Sequence, residues 1–367
     1  MKIKSLLIGS AALMTASSGA YAADAIVMAD PEPVEYVRVC DVYGAGFFYI
    51  PGTETCMQIS GYVRYEVRAH NWAVTTWPSA DARVAAGWGI AGAAATAVAA
   101  PNTIFSHARF APTFDIRTEN EYGTLRAYAR VLFNYQTGSF IANTGNLHYV
   151  RGAQQSFNVE HAFIEQTLGG GTVRLGKTQR PYARFLGFGA SGLTHDGDYG
   201  YAEASEVSYT FSGGNGFTAI AAVMADGNVG NWMPDVEAGF NFAQGWGSIG
   251  AIAGYDSSTN TWGAKAVARF TGGNGFSGGL HVFYTSGAGQ YQVSAFQTNW
   301  SVLANASFAF SPKASLAARA QWYDNGNLSF GAGLGFTPVS GLLIRPEVSY
   351  TTGVNSWAGV VRVERSF

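Results

Sequence analysis

From about residue 59 to the end, this chain alternates apolar and polar residues in run after run. "GYVRYEVR" (61–68) sets Val63, Tyr65 and Val67 against Arg64, Glu66 and Arg68. "TLRAYARVLFNY" (124–135) sorts Leu125, Ala127, Ala129, Val131, Phe133 and Tyr135 from Arg126, Tyr128, Arg130 and Asn134. "WGAKAVARF" (262–270) and "WSVLANASFAF" (300–310) repeat the pattern. A period of two is a β-strand with two unlike faces. The final run, "GVVRVERSF", aligns Trp357, Gly359, Val361, Val363 and Phe367 on one face, and Val360, Arg362, Glu364 and Ser366 on the other. Chain ends are usually frayed and polar, so an apolar face running to Phe367 needs something to cover it.

Strands are expected near 59–69, 105–118, 123–137, 156–168, 171–178, 204–212, 216–225, 234–243, 247–256, 261–271, 275–286, 297–310, 314–323, 328–337, 341–351 and 356–367, sixteen in all. Other runs alternate less clearly, and in "FNVEHAFIEQTL" (157–168) the two faces cannot be assigned. Connections alternate in length. Those after even-numbered strands are tight, as in "NEYG", "QGWG" and the near copies "FSGGNGF" (211–217) and "FTGGNGF" (270–276); those after odd-numbered strands extend to 70–104, 138–155 and 179–203. An even strand count with short turns on one rim and long loops on the other is the pattern of an outer-membrane barrel.

Composition supports a barrel over a soluble β-sandwich. Charged residues are 13%, aromatics 14%, and glycines number 47 of 367, whereas soluble domains carry about 25% charge. Mean hydropathy is only +0.05, as expected when lipid-facing residues alternate with lumen-facing ones. The start, "MKIKSLLIGSAALMTASSGAYA", has two lysines, a short apolar stretch and Ala20-Tyr21-Ala22 before the break, and reads as a secretory signal peptide. Expected boundaries are therefore signal peptide 1–22, an N-terminal periplasmic segment 23–58, and an all-β transmembrane antiparallel barrel 59–367. Lipid would cover Phe367, whose strand would pair with the first, and Arg365 would snorkel to the headgroups. In an exported chain, Cys40 and Cys56, the only cysteines, favour a disulfide; free thiols are the alternative, and a metal site lacks nearby ligands.

"VEYVRVCDVYGAGFFYIPGTETCMQISGYVRYEVR" (34–68) and the ending "RVERSF" resemble the outer-membrane porins of alphaproteobacteria, of the Brucella and Rhizobium kind, and the resemblance spans essentially the whole mature chain. It implies a homotrimer of sixteen-stranded barrels in the Gram-negative outer membrane. Each would be a water-filled channel for passive diffusion of small hydrophilic solutes and ions, with the third long loop, 179–206, folded inward as a constriction. Lipid, lipopolysaccharide and the barrel-assembly machinery, which reads a terminal aromatic such as Phe367, are the implied partners; no nucleic acid, cofactor or metal is expected.

On the polar parity Arg64, Arg68, Arg117, Arg126, Arg130 and Arg362 fall on neighbouring strands, and the inward loop would carry Asp196, Asp198, Glu203 and Glu206. A cationic wall facing an acidic loop would set up a transverse field in a confined channel. Alternatively those arginines pair with Glu66, Asp115, Glu119, Glu347 and Glu364 and neutralise one another. The histidines (70, 107, 148, 161, 195 and 281) are scattered without a paired serine motif, so an enzyme is not expected. A sugar-selective channel would need an aromatic track in the lumen, for which Tyr62, Tyr128 and Phe283 are the candidates. With Lys2 and Lys4 removed, twenty basic residues face twenty-four acidic ones, a lean toward cations.

Overall fold

The computed structural model describes residues 38–70, 73–74, 98–99, 103–143, 146–225, 232–292, 298–353 and 355–367. The signal peptide and most of the segment before Cys40 fall outside them.

Sixteen strands form the wall: β1 (Cys56–His70), β2 (Thr103–Asn120), β3 (Gly123–Asn143), β4 (Asn146–Leu168), β5 (Gly171–Gln179), β6 (Glu203–Gly214), β7 (Phe217–Ala225), β8 (Asp235–Gln244), β9 (Gly247–Asp256), β10 (Thr261–Thr271), β11 (Phe276–Thr285), β12 (Trp300–Ser311), β13 (Ala314–Tyr323), β14 (Leu328–Phe336), β15 (Leu342–Thr351) and β16 (Ser356–Ser366). Each pairs antiparallel with the next, and β16 pairs with β1 (Arg362 opposite Glu66, Glu364 opposite Arg64), so the sheet closes on itself. Closure satisfies the backbone that an open sheet would leave unpaired in lipid.

The seam answers the question raised by the last residue. The Phe367 N–H donates to Gly61 O and the Gly61 N–H to Phe367 O, both at 3.0 Å. The Phe367 ring stacks on Phe110 with centroids 6.3 Å apart. Gly61 has φ +151, and a Cβ there would lie 2.3 Å from the Ala111 carbonyl oxygen, so only glycine fits at the seam.

Two departures from the expected strands have local causes. The connection expected at 138–155 is mostly hairpin: β3 runs to Asn143 and β4 starts at Asn146, with Gly138 opposite Arg151 and Asn143 opposite Asn146. Polar and small residues ("QTGSFIANTGN") hide the alternation there. In β4 the register shifts opposite Arg130/Val131, a β-bulge at Glu160 that places one extra residue in the strand. Outward residues pass from Phe157 and Val159 to Ala162 and Ile164, which is why no single parity fits that run.

The outward face is belted twice. Trp262, Tyr284 and Trp300 form a chain with centroids 4.7 and 4.8 Å apart, joined on the same rim by Trp322 and the Tyr350–Trp357 pair. Phe211, Phe217, Phe242, Phe270, Phe276, Phe308 and Phe336 mark the rim of tight turns. The tryptophans and phenylalanines named keep a third or more of their surface exposed in the isolated chain, as aromatic girdles do at the two edges of a bilayer.

Cys40 and Cys56 are joined by a disulfide. Phe48–Tyr49 pairs with Met57 and Cys56, and the Arg117 guanidinium lies 5.1 Å over the Phe47 ring. The bridged segment is thus fixed at the turn rim, where β1 begins. The barrel wall therefore starts at Cys56, three residues before the expected boundary.

Candidate functional site: the two walls of the lumen

The concave face carries the polar parity, and it divides into two unlike halves. Along β16 and β1–β5 the side chains form cross-strand rows of alternating charge. Glu66 accepts from both Arg68 and Arg362 at 2.5 Å, and Arg64 Nε donates to Glu364 Oε2 at 2.7 Å. Asp115 holds Arg117 and Arg126 at 2.8 Å, and Glu165 holds Arg126 at 2.8 Å and Arg174 at 2.6 Å. Arg130 reaches Thr113 Oγ1 at 3.0 Å and Glu160 at 3.4 Å. The guanidiniums of these pairs keep 12–29% of their side-chain surface exposed. All six arginines expected on this wall lie on it. Mutual neutralisation is realised through Glu66, Asp115 and Glu364, but not through the other two carboxylates named. Glu119 instead accepts from Tyr43 Oη and Thr124 Oγ1, and Glu347 binds a loop on the far side.

The other half, from β7 to β14 with Glu347 of β15, is covered. Residues 180–202 leave β5 through one helical turn (Pro181–Arg184) and run across lumen-facing side chains of those strands. The neck is closed by Arg180 N–H to Ala202 O at 2.9 Å. Arg180, 2% exposed, donates to Glu237 at 2.8 Å and Asp235 at 2.9 Å, both carboxylates fully buried. The Tyr182 N–H donates to Glu237 Oε2 at 2.6 Å. Midway, Arg269 donates to the carbonyls of Leu186 and Phe188. At the far end the N–H groups of Thr194 and His195 donate to Glu347, Arg319 donates to His195 O, and Tyr323 Oη donates to Asp198 Oδ2 at 2.7 Å. Gly197 (φ +101) sits where a Cβ would meet Gln321 Oε1 at 2.9 Å. Apolar contacts complete the seat: Tyr182 and Leu186 with Ile220, Ile252, Val267 and Tyr291; Tyr199 with Phe283 and Leu303; Leu193 with Ala317.

The four expected loop carboxylates separate. Asp196 and Asp198 are on the loop, Asp198 tied to the wall beneath it. Burial pushes the Asp196 carboxyl up to about 7 despite the nearby Arg319 guanidinium. Glu203 and Glu206 are strand residues of β6, not loop residues: Glu203 pairs with Lys177 and Glu206 with Arg184. The loop ends at its backbone neck, and β6 begins one residue later. Sequence reasoning missed Arg109, Arg174, Arg345, Glu160 and Glu165 on the open wall. The parity of "HARFAPTFDIR" and "TVRLG" was the available signal for Arg109 and Arg174.

Lumen-facing aromatics do not form an open stacking track. Tyr128 and Phe163 stack with centroids 5.1 Å apart, but Arg126 lies 4.6 Å from the Tyr128 centroid and Arg174 4.3 Å from that of Phe163. Arg64 covers Tyr62 at 4.6 Å, and Phe283 is buried under the loop.

Residues 24–366 match a family described as "Porin subfamily". The chain is 36% identical to the porin Omp2b of Brucella neotomae and to the porin Omp2a of Brucella melitensis, with all of each chain covered. Among solved structures it is similar in fold to the outer-membrane channel DcaP of Acinetobacter baumannii (TM-score 0.61, 14% identity, 87% of this chain and 99% of that one). It is also similar to a mutant of the Rh. blastica porin (TM-score 0.54, 14% identity, 85% and 100%).

Proposed function

The chain belongs to the porin family of alphaproteobacterial outer membranes, and from that premise we propose that its open arginine wall is the selectivity surface of a general diffusion pore. The protein is an outer-membrane channel for passive diffusion, and the family is one of channels rather than enzymes. The single observation carrying the finer reading is the asymmetry of the lumen. Solvated guanidinium–carboxylate rows occupy one half, and a loop bolted to buried side chains occupies the other. Small hydrophilic solutes would pass between them. The guanidiniums lying over Tyr62, Tyr128 and Phe163 favour this general reading over a sugar-stacking channel.

The charge lean of the whole chain does not describe the pore. Residues 23–58 hold six carboxylates (Asp24, Asp30, Glu32, Glu35, Asp41 and Glu54) against Arg38 alone, and the remaining 59–367 carry nineteen basic and eighteen acidic residues. On the open wall Arg64, Arg68, Arg109, Arg117, Arg126, Arg130, Arg174, Arg345 and Arg362 outnumber Glu66, Asp115, Glu160, Glu165 and Glu364. A mild anion preference is the reading this supports.

Further parts of the proposal are a homotrimer, cleavage after Ala22, the tight turns and disulfide on the periplasmic side, and Phe367 as the aromatic recognised during assembly. Planar-bilayer recording of the purified protein tests the core of it. Conductance should rise in proportion to salt, reversal potentials should favour anions at low salt, and simple sugars should not block. A saturable sugar block would replace the general pore by a selective one. The same preparation made with Phe367→Ser should yield less folded oligomer while still being exported.

A further inference from the structure

Arg345 on β15 differs from every other arginine of the open wall discussed above. It stands directly opposite Arg362 on β16, and two like charges in directly opposed positions repel; Arg64 and Arg109, and Arg117 and Arg126, face each other in the same way, but those four hold carboxylate or amide oxygens. The carboxylates that could relieve it are already engaged. Glu66 binds Arg68 and Arg362, Glu364 binds Arg64, and Glu347 is held by the Thr194 and His195 N–H groups and the His195 ring. Arg345 senses Arg362, Glu347, Glu364 and Arg64, yet its Nε is buried with no hydrogen-bond partner.

The strand ladder is interrupted beside it. Pairing between β14 and β15 lapses between Gly333–Glu347 and Phe336–Ile344. Pro346 has no N–H to give to the ladder there. On that side β14 presents Gly331, Gly333 and Gly335 to the lumen, where Arg319, Leu193 and Ser315 lie over them. A guanidinium offers paired N–H donors that match two oxygens of one anion. Here it lies beside a second guanidinium, that of Arg362.

We propose that Arg345 and Arg362 form a binding site for an oxyanion that presents two oxygens, a phosphate or carboxylate group of a permeating solute. The site rests on the reading of this face as a pore lining and adds to it a class of preferred solute. The occupant would take the paired donors of Arg345 and complete the row that reads Arg345, Arg362, Glu66, His107 across β15, β16, β1 and β2.

The test uses the reconstituted full-length protein in potassium chloride at fixed ionic strength, with inorganic phosphate exchanged for chloride. Wild-type channels should show a saturable fall in conductance with phosphate. Arg345→Met should need about tenfold more phosphate for the same fall, equivalent to about 1.4 kcal/mol. Should Arg345→Met fail to form channels, Arg345→Lys carries the same comparison, since it keeps the charge but not the paired donors; weaker phosphate block is again expected. Equal phosphate response in wild type and variant, or a wild type that conducts chloride without responding to phosphate, overturns the site and leaves the porin reading standing. A wild type with no conductance at all overturns both.

Discussion

The two halves of the lumen use the same residue types for opposite purposes. On the open wall Arg126 holds Asp115 and Glu165, and each of these carboxylates has a second guanidinium, Arg117 or Arg174. On the covered wall Arg180 bridges Asp235 and Glu237, all three under 3% exposed. The open pairs are redundant, part-solvated and screened by salt. The covered trio is singular and dry. A charge in the first setting acts mainly on whatever passes, whereas a charge in the second decides where the loop lies.

The comparison breaks most visibly at Arg180. Arg180→Met leaves two buried carboxylates without the cation that bridges them. Disrupting a buried pair in this way costs about 3–5 kcal/mol, and the loop neck should open. The expected outcome is a lower melting temperature of the folded protein together with larger, noisier single-channel conductance. Combining Arg180→Met with Asp235→Asn and Glu237→Gln removes the orphaned charges, and should recover much of the stability without restoring the loop's seat. If Arg180→Met melts and conducts as wild type does, the covered wall is no anchor.

The open wall should respond in the other currency, selectivity rather than stability. Arg126→Gln with Arg130→Gln orphans little: Asp115 keeps Arg117, Glu165 keeps Arg174, and partly exposed pairs contribute about 0–1 kcal/mol each. Reversal potentials in a salt gradient should move toward cations by an amount resolvable near 0.1 M. The shift should fade by 1 M, where the Debye length is about 3 Å instead of about 10 Å. A large loss of melting temperature with unchanged selectivity would mean that these arginines are structural after all.

Much of this was legible in the sequence because a barrel strand writes its two faces into alternate positions. Sixteen segments, the tight-turn rim and the aromatic rims followed from that alone. The bulge at Glu160 was not legible, since one inserted residue inverts the parity and leaves a run without a consistent face. The partners of the charged residues were also hidden. Arg64 and Glu364 are 300 positions apart, and only closure of β16 on β1 sets their register. The seat of the loop did leave a trace that the alternation alone passes over. Ile220, Ile252, Val267, Phe283 and Leu303 are apolar residues on the lumen parity of β7, β9, β10, β11 and β12. Apolar side chains recurring on the wet face of five strands in one part of the wall mean that something dry lies against them.

The smallest effect expected lies on the loop itself, at Asp196. Burial raises this loop carboxyl to about 7, against the pull of Arg319. It is therefore neutral below that pH and ionised above it, the reverse of an ordinary exposed aspartate, which is charged throughout this range. As pH rises through about 7 the loop gains one negative charge opposite a cationic wall, and anion preference should weaken. The sign for stability is also fixed. The folded form holds this proton more tightly than the unfolded chain, so the contribution of the neutral carboxyl is full at low pH and declines as pH climbs from the usual carboxylate range to about 7. Reversal potentials recorded from pH 5.5 to 8.5, with wild type beside Asp196→Asn, isolate the step: roughly one unit charge's worth of shift in the first, none in the second. An identical pH profile in both would place the titrating group elsewhere on the lumen and leave Asp196 as one more tether of the covered wall.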